Sequence, residues 1–189
     1  MKKVTFKLGA LAALAALLLA VGGCGQEKEE KPVQTESAAT EEESLETEDA
    51  AELAPDFETV LADGTEVNLS DYRGKKVLLN FWATWCGYCI MEFPALDRLS
   101  QDYADELVVL AIDCGEDEAT VQDFLEKNEY SFLVGMDEDY EIQRLYPTNG
   151  IPYTVLIGEE GEVLHRTTGI PSREEDEIYE YYKENLGLE

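Results

Sequence analysis

Hydrophobic residues fall along the chain in three regimes. Leu8 to Val21 is an apolar, alanine-rich stretch behind Lys2, Lys3 and Lys7. Gly25 to about Ala54 is polar, rich in glutamate and nearly free of large apolar side chains. Such a segment cannot bury a core and is expected to be disordered. From Pro55 onward short apolar runs return, bounded by glycine, proline and charged clusters. Val77-Leu78-Leu79-Asn80-Phe81-Trp82, preceded by Gly74-Lys75-Lys76, is partly β-branched or aromatic and reads as a buried parallel strand. After Cys86 the period changes: Cys89, Phe93, Leu96 and Leu99 recur at helical intervals. Cys86 therefore stands where a strand has ended and a helix begins.

The rest of the pattern continues this alternation. Phe57–Leu61 and Glu66–Leu69 flank an Asp63-Gly64 turn and predict a hairpin. Ser70–Gly74 suggests one helical turn. The helix from Cys86 is expected to run to about Tyr103, with a kink where Pro94 removes a backbone hydrogen bond. Leu107–Ile112 predicts a second parallel strand, Glu118–Asn128 a crossover helix, Phe132–Val134 a short strand and Tyr140–Tyr146 a short helix. The apolar run opened by Pro152 and ending at Ile157 predicts a strand, and Gly158–Gly161 turns it into an antiparallel neighbour, Glu162–Thr167. Arg173–Leu186 is amphipathic, and its tyrosines are expected to pack with wet hydroxyls. Alternating strands and helices give an α/β fold: a central mixed sheet flanked by helices.

Length allows one ordinary domain plus appendages in 189 residues. The apolar stretch before Val21 is too short and alanine-rich for a membrane span and reads as the core of a secretory signal, residues 1–23. Residues 24–54 read as a tether with a reach on the order of 30 Å, and residues 55–189 as the folded domain. Net charge is −28. Residues 1–23 contribute +3, residues 24–55 contribute −9 and the remainder −22. Every part after residue 23 is acidic, which argues against nucleic acid and against adhesion to anionic lipid surfaces. Most of these acids read as a solvated, self-repelling surface.

The candidate chemistry lies in Cys86 and Cys89. Three residues apart on the first helical turn, they can form a disulfide. The unpaired N–H groups and positive dipole of a helix start stabilise a thiolate at Cys86, below the free value of about 8.5. That suggests a redox pair in which one thiolate attacks and the other thiol resolves. A zinc site needs two further soft ligands. Only Cys24, Cys114 and His165 remain, none at ligand spacing. A purely structural disulfide over so short a loop stabilises little. No metal and no cofactor is expected.

Asn80 to Pro94, centred on Trp85-Cys86-Gly87-Tyr88-Cys89, resembles the thioredoxin superfamily. Its lead-in Phe81-Trp82-Ala83-Thr84-Trp85 and the following Glu92-Phe93-Pro94 resemble the ResA/TlpA branch of membrane-tethered thiol–disulfide oxidoreductases. The likeness extends from about Ala54 to the C-terminus. It implies a thioredoxin-like fold with an N-terminal β-hairpin extension, a cis Ile151–Pro152 bond against the cysteine pair, and substrate contacts at Trp85, Ile151 and Pro152. It also implies that Glu92, one helical turn from Cys89, serves as its proton partner, because Asn80 stands where thioredoxin itself has an aspartate. Val21-Gly22-Gly23-Cys24 resembles a bacterial lipoprotein processing site, which implies lipidation of Cys24; an ordinary signal with an incidental cysteine is the alternative.

The implied function is a lipid-anchored, monomeric oxidoreductase outside the cytoplasmic membrane of a bacterium. A membrane electron donor of the CcdA/DsbD type would reduce it. Oxidised exported proteins, such as apocytochrome c before haem attachment, would be its targets. The Gly87-Tyr88 dipeptide departs from relatives that carry proline before the second cysteine. Cys114 lies at the same carboxyl edge, as a third redox thiol or as a small buried apolar residue. Trp82 reads as rim or core, and His165 has no assigned role. Two rivals remain. A peroxiredoxin-like peroxidase would have threonine three residues before the cysteine, where Ala83 stands. A metal chaperone would use the cysteine pair with His165.

Overall fold

A computed structural model describes residues 51–189. The expected signal segment, Cys24 and the tether up to residue 50 lie outside the described residues. Two short strands, β1 (Glu58–Val60) and β2 (Glu66–Asn68), pair antiparallel around Asp63-Gly64. A 3-10 turn at Leu69–Tyr72 leads to β3 (Lys76–Trp82). There follow α1 (Gly87–Asp102), β4 (Leu107–Cys114), α2 (Glu118–Leu125), β5 (Leu133–Asp137) and α3 (Glu141–Leu145). The chain closes with β6 (Tyr153–Ile157), β7 (Val163–Thr168) and α4 (Glu175–Leu186).

The main sheet has the order β5-β4-β3-β6-β7. β3 is its centre, parallel to β4 and antiparallel to β6. This explains its nearly continuous apolar run, since helices or loops cover both faces. Side chains alternate across it. Leu78 and Trp82 join Cys86, Cys89, Phe93 and α4 residues such as Ile178 and Tyr182 in one buried cluster. Val77, Leu79 and Phe81 enter a second cluster with Phe57, Leu69, Ile142 and Tyr146 on the opposite face.

The first cluster anchors α1. Phe93 is fully buried, with edge-on contacts to Trp82 at 4.8 Å, Phe132 at 5.0 Å and Tyr130 at 5.2 Å between ring centroids. Such pairs contribute about 0.5–1.5 kcal/mol each beyond their burial. Trp82 is thereby a core residue and not part of a rim. α1 continues through Pro94, held on this face although the proline leaves the carbonyl of Ile90 without its helical donor.

Several boundaries move. Ordered pairing begins before residue 55: Val163 N donates to Glu52 O at 2.7 Å, Leu53 bridges Glu162, and Ala54 is buried. The polar composition of the preceding stretch hid the cue, which is pairing with a partner more than 100 residues away. α2 ends at Leu125 and β5 runs on to Asp137, where its carboxylate accepts from Ile142 N at 3.0 Å and Gln143 N at 2.8 Å and caps α3. Among the described residues no helix is long and apolar enough to cross a membrane.

Candidate active site

Beyond Trp82 the chain leaves β3 in a tight turn. Cys86 N donates to Ala83 O at 3.0 Å. Cys86 has extended backbone angles and caps α1, its Sγ accepting from Cys89 N at 3.2 Å. The cap uses sulfur where serine or aspartate would offer oxygen, so the helix start acts directly on the reactive atom. Cys86 and Cys89 are joined by a disulfide with an S–S distance of 2.06 Å and Cα atoms 5.3 Å apart. Cys86 is 7% exposed and Cys89 fully buried. Both are buried, but of the two only Cys86 keeps any exposure, the asymmetry expected from their places on the helix.

Trp85 (71% exposed), Tyr88 and Met91, close to Cys86 in sequence, are exposed large apolar side chains. Arg173, just before α4, lies 5.7 Å from the Tyr88 ring and donates to its hydroxyl at 3.2 Å. The Ile151–Pro152 bond is cis. Ile151 is half-buried and packs against the core cluster that contains both cysteines.

Behind the disulfide Glu92 is fully buried. Asn80 Nδ2 donates to Glu92 Oε1 at 2.6 Å and to Thr154 Oγ1 at 3.0 Å. The Tyr182 hydroxyl donates to Glu92 Oε2 at 3.1 Å and lies 3.1 Å from Thr154 Oγ1. Burial pushes the Glu92 carboxyl up to about 8, against the opposing effect of the hydrogen bonds from Asn80 and Tyr182. A carboxyl poised there can hold or release a proton near neutral pH. Tyr182 was expected to have a wet hydroxyl. Instead it is fully buried and bonded into this network, because α4 lays it over Glu92 from 90 residues away in sequence.

Two further placements bear on the site. Cys114 does end a strand parallel to β3, but it belongs to the opposite core cluster from Cys86 and Cys89. Its thiol is pushed up to about 12 by burial, then by the charges of Asp137 and Asp113. It is a buried apolar residue, and a third redox role loses its geometry. Glu116, absent from the sequence-derived site, accepts from Thr84 N at 2.5 Å and from the Thr84 hydroxyl at 2.6 Å. Its position in a Gly-Glu turn at the carboxyl end of a parallel strand was the available signal. Asn80 and Thr154 face each other only through the β3–β6 register, which local pattern does not carry. Among the described residues no group of three or more His, Cys, Asp or Glu is arranged to hold a metal ion.

A mixed five-stranded sheet with a disulfide at the N-terminus of the helix after its central strand defines a thioredoxin-like thiol–disulfide oxidoreductase. The chain belongs to the Redoxin family, whose pattern it matches over residues 49–182. It is 38% identical over 125 residues to the thiol–disulfide oxidoreductase ResA of Geobacillus kaustophilus, covering 66% of this chain and 72% of that protein. It is 34% identical over 129 residues to ResA of Bacillus subtilis, covering 68% and 71%. Among solved structures it resembles the exposed lipoprotein thioredoxin of Streptococcus pneumoniae, with TM-score 0.60 and 30% identity over 69% of this chain and 99% of that one. A thiol:disulfide interchange protein of Chlorobium tepidum superposes with TM-score 0.64 and 26% identity, covering 72% and 97%.

Proposed function

We propose that this chain is a lipid-anchored, extracytoplasmic reductase of disulfides in exported proteins, with Cys86 as the attacking sulfur and Cys89 as the resolving one. The observation that carries the reading is the asymmetric pair itself: Cys86 at the helix start with slight exposure, Cys89 fully buried one turn in, with Glu92 behind it. In the reduced protein the Cys86 thiolate attacks one sulfur of a substrate disulfide. A mixed disulfide forms and one substrate thiolate leaves, to be protonated by solvent. In the fraction of molecules whose Glu92 is ionised, Cys89 gives its proton to that carboxylate and attacks Cys86 Sγ, which expels the second substrate thiolate. The Cys86–Cys89 disulfide is restored and two electrons have passed to the substrate.

The exposed side chains of Trp85, Tyr88 and Met91 supply apolar contact for the chain flanking the target cysteines, and the cis Ile151–Pro152 segment supplies backbone groups. Oxidised CxxC pairs, as in apocytochrome c, are the proposed substrates, and a membrane carrier of the CcdA/DsbD type the proposed donor. Anchorage rests on Cys24 behind Val21-Gly22-Gly23. It gains support from the lipoprotein character of the similar pneumococcal thioredoxin. The peroxidase alternative asks for a threonine hydroxyl at the sulfur, but Thr84 donates its hydroxyl to Glu116. The metal-chaperone alternative needs His165, which is engaged with the Tyr181 hydroxyl at 2.7 Å.

Two measurements test the proposal. The reduced full chain should convert an oxidised CxxC peptide to its dithiol in one-to-one stoichiometry, and failure to transfer electrons to any peptide disulfide would overturn it. Cys24→Ser should move the protein from the membrane fraction to the soluble fraction of the producing bacterium. Retention of that variant in the membrane would remove the lipid anchor from the reading.

A further inference from the structure

The end of β4 carries carboxyl groups that the exchange steps above leave unused. Gly115, at φ +83°, turns the chain out of the strand, and its N–H donates to Asp137 O at 3.1 Å. That backbone conformation suits glycine, and it brings Glu116 back against the active-site turn. There Glu116 takes both the N–H and the hydroxyl of Thr84. Its own N–H donates to Asp113 Oδ1 at 3.1 Å. Asp113 is fully buried beside Trp82 in the β3–β4 register, and its Oδ2 has no partner among the described residues.

Thr84 lies two residues before Cys86. Cα atoms so spaced are at most about 7 Å apart, which puts the Glu116 carboxylate within roughly 14 Å of the Cys86 sulfur. Partly buried charges are screened less by salt than exposed ones.

We propose that Glu116 is a positioning residue of the exchange reaction: through Thr84 it fixes the turn that presents Cys86, and with Asp113 it sets negative charge behind that sulfur, opposing the thiolate and favouring loss of electrons. This rests on the reading of Cys86 as the attacking sulfur. The groups that face it can be named element by element. α1 contributes Cys89 and Glu92, and α4 contributes Tyr182 behind Glu92. The end of β4 contributes Asp113 and Glu116, with Asp137 of β5 adding its charge to Asp113. The segment before α4 contributes Arg173, held on Tyr88. One cation thus stands against several carboxyls. Burial, then the neighbouring Glu116 carboxyl, pushes Asp113 up to about 7.

The electron count gives this proposal a signature. Conversion of the dithiol to the disulfide releases two electrons and two protons. The neutral thiols and the disulfide do not feel the Glu116 charge to first order; only the thiolate does. The bias toward oxidation therefore grows with pH. A turn that is merely loosened shifts the equilibrium at every pH.

The test uses the full chain and Glu116→Gln, which can keep both hydrogen bonds to Thr84 while losing the charge. Alkylation rate against pH reports the Cys86 thiolate, and equilibration with dithiothreitol reports the potential. Glu116→Gln is expected to lower the Cys86 midpoint by up to about one pH unit. Its potential should match the parent at pH 6 and rise by up to about 30 mV, a tenfold change in equilibrium, at pH 9. Thr84→Ala keeps the charge and loses the hydroxyl half of the latch, so it should slow exchange without lowering the midpoint. It also serves if the glutamine variant does not fold, because a midpoint that falls in Thr84→Ala overturns the charge argument. An unchanged midpoint in Glu116→Gln overturns the proposal. Absence of a titrating thiol at Cys86 in the parent would overturn the underlying reading, a distinguishable result.

Discussion

Cys89→Ser should leave Cys86 covalently loaded with its substrates, while Cys86→Ser should lower disulfide exchange by on the order of 10³-fold or more. The reason is positional. Cys86 caps α1 and has the more accessible sulfur, whereas Cys89 is sealed in the core. Attack on a substrate disulfide must come from the sulfur that can be reached and that the helix start holds as thiolate. Without Cys89 the mixed disulfide has no resolving thiol and accumulates. Purification of the serine variant from its host under non-reducing conditions, followed by release with dithiothreitol, checks this. Recovery of the same adducts on Cys89 in Cys86→Ser would reverse the assignment.

Glu92→Gln should make the oxidised protein more stable at neutral pH and a poorer catalyst. The Glu92 carboxyl is pushed from its ordinary 4.5 up to about 8, chiefly by burial. Below pH 4.5 it is protonated in both folded and unfolded chains and has no pH-linked effect. Between 4.5 and 8 the unfolded chain releases a proton that the folded chain retains, so this group's contribution to stability falls as pH rises, and it levels off above 8. The loss at pH 7 is roughly 3 kcal/mol. Glutamine does not titrate, so urea unfolding of the two proteins should show a gap that shifts by about this amount in the variant's favour between pH 4.5 and pH 7. A pH-independent gap would place the carboxyl in contact with solvent. The same substitution removes the proton acceptor for Cys89 and should slow resolution of the mixed disulfide by about 10²-fold. An unchanged thiol titration and rate would relegate Glu92 to a packing role.

Much of the site was legible because its signals are local. The change from strand to helix at Cys86 shows in residue spacing, and helix-start physics acts within one turn. Glu92 could be placed on the face of Cys89 by the same helical arithmetic. The cis bond before Pro152 came from family resemblance, since proline alone does not specify the isomer. The surroundings of Glu92 were not legible. Asn80, Thr154 and Tyr182 come from three separate elements, and only strand register and the seating of α4 bring their polar atoms together.

The sequence by itself determined the order of strands and helices, the chemistry of the cysteine pair and the place of that pair at a helix start. Short-range periodicity, turn residues and backbone polarity suffice for these. Tertiary structure alone decided which side of the sheet each edge residue serves. Cys114 and Asp113 are neighbours in sequence, yet the first belongs to the core cluster opposite the disulfide and the second lies beneath the active-site turn. Strand side chains alternate, so a one-residue difference selects the face, and non-local pairing of β3 with β4 fixes that register. The same pairing lets Glu116 reach Thr84 and hold the turn before Cys86 by two hydrogen bonds.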